Sequence, residues 1–123
     1  MRSTGKPLIV ILGPTAVGKT AFAVAMARAL NGEIIGADSR QIYREMDIGT
    51  AKPSAEERAA AVHHLIDIVA PDEDYPLAHY KRDAYAAIDA VHQRDRLPLL
   101  VGGTGQYITA LLEGWSIPEV RPN

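Results

Sequence analysis

Eight consecutive residues near the start of the chain have the types and spacing of a phosphate-binding loop. Glycines at both ends of this pattern let the backbone adopt positive φ and turn its N–H groups toward phosphate oxygens. Lys19 would reach the outer phosphate, and the Thr20 hydroxyl would ligate Mg²⁺. The pattern predicts a bound phosphorylated compound, either a nucleoside triphosphate, which is the usual ligand, or another diphosphate ester. The loop consists of Gly13, Pro14, Thr15, Ala16, Val17, Gly18, Lys19 and Thr20.

Asp38 is the second residue whose position suggests chemistry. It follows the apolar segment 33–37, and open α/β sheets bind their ligands beyond the carboxyl ends of such strands. One role is to hold Mg²⁺ through water, as the Asp of a Walker B strand does. Another is to act as general base for a nucleophile that attacks the bound compound. A third, purely structural, is to cap a helical turn over residues 39–43. The spacing alone leaves these roles open.

Two further motifs lie later in the chain. The turn Gly102-Gly103-Thr104-Gly105 follows the apolar run 97–101, so Thr104 either caps the next helix or turns its hydroxyl toward the phosphate. The pair His63-His64 has no metal-ligand spacing with a cysteine or an acidic cluster. We therefore expect a structural role for the pair, with one ring hydrogen-bonded near the sheet edge and oriented by Asp67.

The hydrophobic pattern indicates the elements that must position these residues. Strand, glycine-rich turn, helix and strand follow one another within the first 37 residues, which is a βαβ unit. The unbroken apolar run of the first strand predicts burial on both faces, as in a parallel sheet. The pattern thus predicts an α/β fold, a parallel sheet flanked by helices. The predicted strands are 8–12, 33–37, 65–69 and 97–101, and the predicted helices are 20–30, 54–62, 78–93 and 106–112.

Composition limits the possible functions. The chain has 123 residues, 47% of them hydrophobic, with a net charge of −2, which suits one domain with a core and gives no basic footprint for nucleic acid. It contains no apolar run long enough to cross a membrane. It also lacks cysteine, which fits a cytoplasmic location. We expect a core over 1–115, followed at 116–123 by a proline-containing connection to a missing region. The sequence sets no oligomeric state.

The motifs together resemble the N-terminal part of the tRNA dimethylallyltransferase family. The resemblance extends from Leu8 to about Gly114. Val17 departs from the serine usual in this loop, which removes a hydroxyl but leaves the backbone cradle. The segments that carry the resemblance, in chain order, are 13–20, the Ala-Asp-Ser-Arg-Gln-Ile-Tyr run at 37–43, the run 46–53, the His-His-Leu-Ile-Asp run at 63–67, and the turn 102–105 with Tyr107.

The resemblance implies a P-loop NTPase-like fold that is truncated, without a helical insertion and a C-terminal part. It implies transfer of a dimethylallyl group from dimethylallyl diphosphate to N6 of an adenosine beside the anticodon, within a tRNA anticodon stem-loop. Loop residues 13–20 would then hold the prenyl diphosphate, with Mg²⁺ on Thr20. The implied catalytic residues are Asp38 as general base, Thr104 and Lys19. The implied tRNA contacts are Asp38, Ser39, Arg40 and Gln41.

Two alternatives remain open. A P-loop small-molecule kinase shares the loop and an Asp at the end of the second strand, although no arginine-rich lid is evident in the sequence. The chain could also be a phosphate-binding fragment without activity, because family members continue with a helical insertion that grips the anticodon arm. An arginine that assists diphosphate departure is expected in that missing half.

Overall fold

Strands and helices alternate along the chain, as the hydrophobic pattern predicts. The computed structural model describes residues 7–12, 19–43, 53–70, 72–103 and 106–113. The elements are β1 Ile9–Leu12, α1 Lys19–Leu30, β2 Gly32–Gly36, α2 Ser39–Ile42, α3 Ala55–Ala60, β3 His63–His64, α4 Leu77–Gln93, β4 Leu97–Gly102 and α5 Gln106–Glu113.

The four strands form one parallel sheet in the order β1-β4-β2-β3. Leu12 at the end of β1 lies opposite Gly102 at the end of β4. Gly36 at the end of β2 lies opposite Val101. The carboxyl ends of β1, β2 and β4 therefore meet at one edge, where the residues that follow each strand emerge. The predicted α/β fold with a parallel sheet flanked by helices is confirmed.

Helix α1 covers one face of the sheet through small side chains. Ala23 and Ala27 are fully or almost fully buried and pack with Ile34, because alanine lets a helix approach a sheet closely. The predicted helix 20–30 is confirmed with one additional residue at its start, and Phe22 and Leu30 on it are exposed, with 56% and 45% of these residues accessible. The larger apolar residues of this helix therefore do not form its buried face.

Helices α4 and α5 cover the other face. The side chains of Tyr80, Ala84 and Ile88 are fully buried and pack with Ile35 and Leu100 of the sheet. The predicted helix 78–93 is confirmed with one additional residue at its start, and the predicted helix 106–112 with one at its end.

The prediction that the first strand is buried on both faces is wrong in its extent, although Val10 packs against one core cluster and Ile9 and Ile11 pack against the other. Residues 9–11 are half-buried and Leu12 is 50% exposed. Within the described residues, β1 pairs with β4 alone, so one of its edges has no neighbouring strand. Position in the sheet, which an apolar run does not encode, accounts for the exposure.

The predicted strand 65–69 is also wrong. Leu65 and Asp67 have positive φ angles of 66° and 58°, a left-handed backbone that interrupts an extended segment. The strand lies just before them, at His63–His64, and Val69 makes only an isolated bridge with Tyr43. The observed strand starts two residues before the predicted one, because the local backbone conformation at Leu65 and Asp67 outweighs the apolar pattern.

The short helix α3 begins with a capping box at Ser54, where the predicted helix 54–62 starts. The Ser54 hydroxyl accepts a hydrogen bond from the Glu57 N–H at 3.1 Å, and the Glu57 carboxylate accepts one from the Ser54 N–H at 2.9 Å. The helix ends at Ala60, two residues earlier than predicted, because Ala61 is already extended with φ −150° and ψ 153°.

The predicted boundary between the core 1–115 and the connection 116–123 lies outside the described residues. Among the residues that are described, no helix has the length and apolar character to cross a membrane.

Candidate functional site

The first turn of α1 carries the two described residues of the predicted phosphate loop. Lys19 and Thr20 open the helix directly after the loop and are half-buried. Residues 13–18, the rest of the predicted cradle, lie outside the described residues. Helix α1 comes after β1 in the chain. Its N-terminus, which carries a partial positive charge, therefore starts from the carboxyl edge of the sheet.

The ends of β2 and β4 lie in direct contact beside Asp38. The Ala37 N–H donates to the Val101 carbonyl at 2.9 Å. A Cβ placed on Gly102 would lie 2.5 Å from the Ala37 carbonyl oxygen, so only glycine permits this approach. Asp38 is half-buried and follows that contact, next to where Gly103 leaves β4. Thr104, the predicted catalytic hydroxyl, lies outside the described residues.

The segment predicted to contact tRNA forms a short helix after β2. The backbone of Ser39, Arg40 and Gln41 lies in α2, and the Gln41 N–H donates to the Asp38 carbonyl at 2.9 Å. Gln41 is only 9% exposed. The Asp38 carbonyl thus closes the helical turn, a contact that does not involve its carboxylate and leaves the predicted roles of that group open.

A small cavity lies beneath the first turn of α1. Its volume is about 10 Å³, roughly the space that one water-sized sphere needs. It connects the predicted phosphate loop with both central strands and with the edge strand β3. The lining residues are Lys19, Thr20, Ala23, Ile34, Gly36, Gln41, Pro53, His63, Ile66, Val101 and Gly102.

His63 has one satisfied and one unsatisfied ring nitrogen. Its Nδ1 lies 2.9 Å from the Ala61 carbonyl oxygen, which can only accept, so Nδ1 carries the hydrogen. Its Nε2 is buried and has no hydrogen-bond partner. Burial lowers the pKa of His63 below its usual 6.5, which favours the neutral ring. No motif or apolar period in the sequence indicates this buried environment, for which only a structural role is predicted.

Aromatic side chains support the same edge from the other face of the sheet. The Tyr80 hydroxyl donates to the Gly36 carbonyl at 2.8 Å, and its ring stacks on Tyr107 with centroids 4.2 Å apart. Burial raises the pKa of Tyr107, with smaller contributions from the charges of Tyr43 and Asp38. The Tyr80 ring packs in the core, and its hydroxyl also fixes the end of β2.

A buried ionic cluster lies at the opposite, amino-terminal end of β2. Glu33 is 1% exposed, and its carboxylate accepts hydrogen bonds from Arg94 at 2.6 and 3.0 Å and from His64 Nε2 at 2.7 Å. The Arg94 hydrogen bond is the largest cause that lowers the pKa of Glu33 from 4.5 to about 2, against the opposing effect of burial. The cluster ties β3 and the turn after α4 to β2.

The expectation that Asp67 orients one of the histidine rings is wrong. Its carboxylate accepts from Arg58 of α3 at 2.8 Å, while the two rings bond to Ala61 and Glu33. The expectation that one ring is hydrogen-bonded at the sheet edge is confirmed for His64. Among the described residues, no group of three or more His, Cys, Asp or Glu side chains could hold a metal.

Two family models match the chain. The IPP transferase model matches residues 41–123, and the isopentenyl transferase model matches residues 6–67. The chain belongs to the IPP transferase family. The predicted resemblance to tRNA dimethylallyltransferases, as their N-terminal part, is thereby confirmed.

Relatives in this family are similar over nearly the whole chain. A tRNA dimethylallyltransferase of Herpetosiphon aurantiacus is 64% identical over 119 residues, which cover 96% of this chain and 38% of the relative. A tRNA dimethylallyltransferase of Chloroflexus aurantiacus is 65% identical over 115 residues, which cover 94% of this chain and 39% of the relative. The chain thus spans less than two fifths of the length of these relatives.

Solved structures of the family share the fold. The full-length tRNA isopentenylpyrophosphate transferase from Bacillus halodurans has a TM-score of 0.82 and 49% identity, over 94% of this chain and 38% of that one. A eukaryotic dimethylallyltransferase acting on tRNA has a TM-score of 0.79 and 36% identity, over 85% of this chain and 26% of that one. The P-loop-like α/β architecture of the IPP transferases is therefore that of this chain.

Proposed function

We propose that the protein carrying this chain transfers a dimethylallyl group from dimethylallyl diphosphate to N6 of an adenosine next to the tRNA anticodon, releasing pyrophosphate. The observation that carries the proposal is the meeting of three chain segments at one sheet edge. The start of α1 brings Lys19 and Thr20, the end of β2 brings Asp38, and the end of β4 leads toward Thr104. In an IPP transferase, these segments fit a diphosphate cradle beside a base.

The reaction breaks the allylic C–O bond of the diphosphate and forms a C–N bond to adenine N6. The exocyclic nitrogen is a poor nucleophile because its lone pair is delocalised into the ring. In the proposed mechanism, the Asp38 carboxylate takes the N6 proton as the C–N bond forms. Lys19 and the N-terminal turn of α1 stabilise the negative charge that develops on the departing pyrophosphate, and the Thr104 hydroxyl adds a further donor.

The residues present fit a magnesium ion held mainly by substrate. Mg²⁺ prefers oxygen ligands and is commonly bound by one or two protein groups together with substrate phosphates. The Thr20 hydroxyl at the start of α1 is one such protein group, and the diphosphate oxygens would supply the other ligands. A bound Mg²⁺ would supply charge neutralisation for the diphosphate.

The acceptor is proposed to be a tRNA anticodon stem-loop, contacted by residues 38–41. A base must leave its stack to reach a carboxylate at the bottom of a site, and Asp38 is half-buried. We place the reaction in the cytoplasm, where tRNA is abundant.

The test uses the protein encoded by the whole reading frame that contains this sequence. It is incubated with Mg²⁺, dimethylallyl diphosphate and an anticodon stem-loop, and nucleosides are then analysed by mass spectrometry. We expect N6-dimethylallyladenosine at a single position. Absence of this product, together with turnover of ATP on a small acceptor, would support a P-loop kinase instead. Pyrophosphate binding without either activity would support the non-catalytic interpretation.

A further inference from the structure

The two adjacent histidines of β3 face opposite sides of the sheet. His63 lies opposite Ile34 and His64 lies opposite Ile35 in the parallel register, so their side chains alternate between the two faces. His64 Nε2 donates to Glu33 at 2.7 Å, at the end of β2 that lies away from the phosphate loop. His63 lines the cavity beneath the first turn of α1.

His63, which lines that cavity, has a buried ring nitrogen without a hydrogen-bond partner. Its Nδ1 hydrogen is donated to the Ala61 carbonyl at 2.9 Å, so in the neutral ring Nε2 carries only a lone pair. Buried polar atoms are almost always hydrogen-bonded, and each exception requires an explanation. Nε2 of His63 is the only buried side-chain nitrogen or oxygen without a partner among the described residues.

The cavity has room for one small donor. Its volume of about 10 Å³ is close to the minimum for a single water molecule. Its lining combines the His63 ring with polar residues of two other elements, Lys19 and Thr20 of α1 and Gln41 of α2. A buried water needs two to four hydrogen-bond partners, and these polar residues are the candidates to supply them.

We propose that His63 is a positioning residue of the phosphate site, whose Nε2 accepts a hydrogen bond from one buried water that bridges β3 to the first turn of α1. The ring and its water fix the height of that turn above the sheet. They thereby fix the position from which the Lys19 side chain contacts the phosphate. The inference rests on the proposed phosphate site and adds to it a residue from the edge strand.

Substitutions at His63 distinguish the contribution of the Nδ1 hydrogen bond from that of the Nε2 hydrogen bond. In H63N the amide can still donate to the Ala61 carbonyl, but nothing replaces Nε2. In H63Q the longer side chain places an amide oxygen near the position of Nε2, so the acceptor is restored. The matched control is H64N, which changes the neighbouring histidine on the other face of the sheet. Each variant is titrated with inorganic pyrophosphate and Mg²⁺ by calorimetry, alongside K19A.

One buried hydrogen bond contributes about 0.5–1.5 kcal/mol, which corresponds to roughly two- to thirteenfold in an equilibrium constant. We expect H63N to weaken pyrophosphate binding by about that factor and H63Q to bind within about twofold of the unmodified protein. H64N should leave the affinity unchanged. Wild-type affinity in H63N, equally weak binding in H63Q, or an equal loss in H64N would overturn the inference.

The K19A variant separates failure of the inference from failure of the proposed function. If the unmodified protein does not bind pyrophosphate, or K19A binds it equally well, the phosphate site itself is refuted. A second measurement needs no substitution, so it holds even if H63N fails to fold. In the unmodified protein, magnetisation transfer from a long-lived water to the His63 ring protons would support the bridge. Its absence in a spectrum that resolves those protons would overturn it.

Discussion

The loss of unfolding free energy on substitution of Glu33 is the effect whose magnitude follows most directly from the structure. Glu33→Gln removes the charge from a side chain that is 2% exposed and that accepts two hydrogen bonds from Arg94. The folded-state pKa of about 2, compared with 4.5, corresponds to roughly 3 kcal/mol of stability near neutral pH. Because 46% of the Arg94 side chain is exposed, solvent screens part of this interaction, and we expect a loss of about 2 kcal/mol.

The pH dependence gives the sign of the effect. The folded protein binds the Glu33 proton less readily than the unfolded chain, so stability from this group is present above pH 4.5 and is lost as the pH falls toward about 2. The difference in unfolding free energy between the protein and E33Q should therefore be largest at neutral pH and shrink through that acid range.

The assay is urea unfolding followed by circular dichroism at several pH values. The matched control is Glu56→Gln, which neutralises an exposed carboxylate in the first turn of α3 and should change stability by less than about 0.5 kcal/mol. A loss in E33Q no larger than that in E56Q at pH 7, or a difference that grows as the pH falls, would refute the account of the cluster.

Two other substitutions test how the candidate site is positioned. Gly102→Ala places a Cβ 2.5 Å from the Ala37 carbonyl oxygen, so we expect about 1–3 kcal/mol of destabilisation by urea unfolding, from overpacking; a neutral effect would contradict the close contact of β2 and β4. Tyr80→Phe removes the hydrogen bond to the Gly36 carbonyl and leaves that oxygen without its donor, so about 1–3 kcal/mol should be lost in the same assay, whereas unchanged stability would show that this bond does not hold the end of β2.

Much of the fold follows from local signals in the sequence. The predicted helix at 54–62 begins with a capping box of Ser54 and Glu57, a local signal because both partners lie within one helical turn. The apolar spacing of α4 predicts its boundaries to within one residue, since a long amphipathic helix repeats its signal several times. Asn31, at the predicted stop of α1, has the positive φ of 56° that ends a helix.

The wrong predictions depend on partners distant in the sequence. An apolar run in β1 does not reveal whether strands flank it on one side or on both. The apolar spacing of α1 likewise does not show that its alanines are buried and Phe22 is exposed, because the helix-to-sheet distance, set by the whole layer, decides which face packs. The displaced strand at His63–His64 depends on pairing with β2, about thirty residues earlier in the chain.

The sequence predicts those residues of the candidate site that lie next to strand ends, but not those brought in by distant contacts. Lys19, Thr20 and Asp38 stand next to strand ends, so their common edge follows from a parallel sheet. The cavity position of His63 and the pairing of Glu33 with Arg94, which are 61 residues apart, require three-dimensional packing. No periodicity or motif in the sequence encodes either contact.

The central claim is that one sheet edge carries both a diphosphate cradle and a base, and paired measurements on two variants test it most directly. Single-turnover transfer to the stem-loop and pyrophosphate binding are measured for the protein, K19A and D38N. We expect K19A to lose about ten- to a hundredfold in pyrophosphate affinity, and transfer to fall with it. D38N should retain binding but transfer about 10²–10⁴-fold more slowly, as loss of a general base predicts. Transfer at the unmodified rate in D38N, or unchanged pyrophosphate binding in K19A, would contradict the claim.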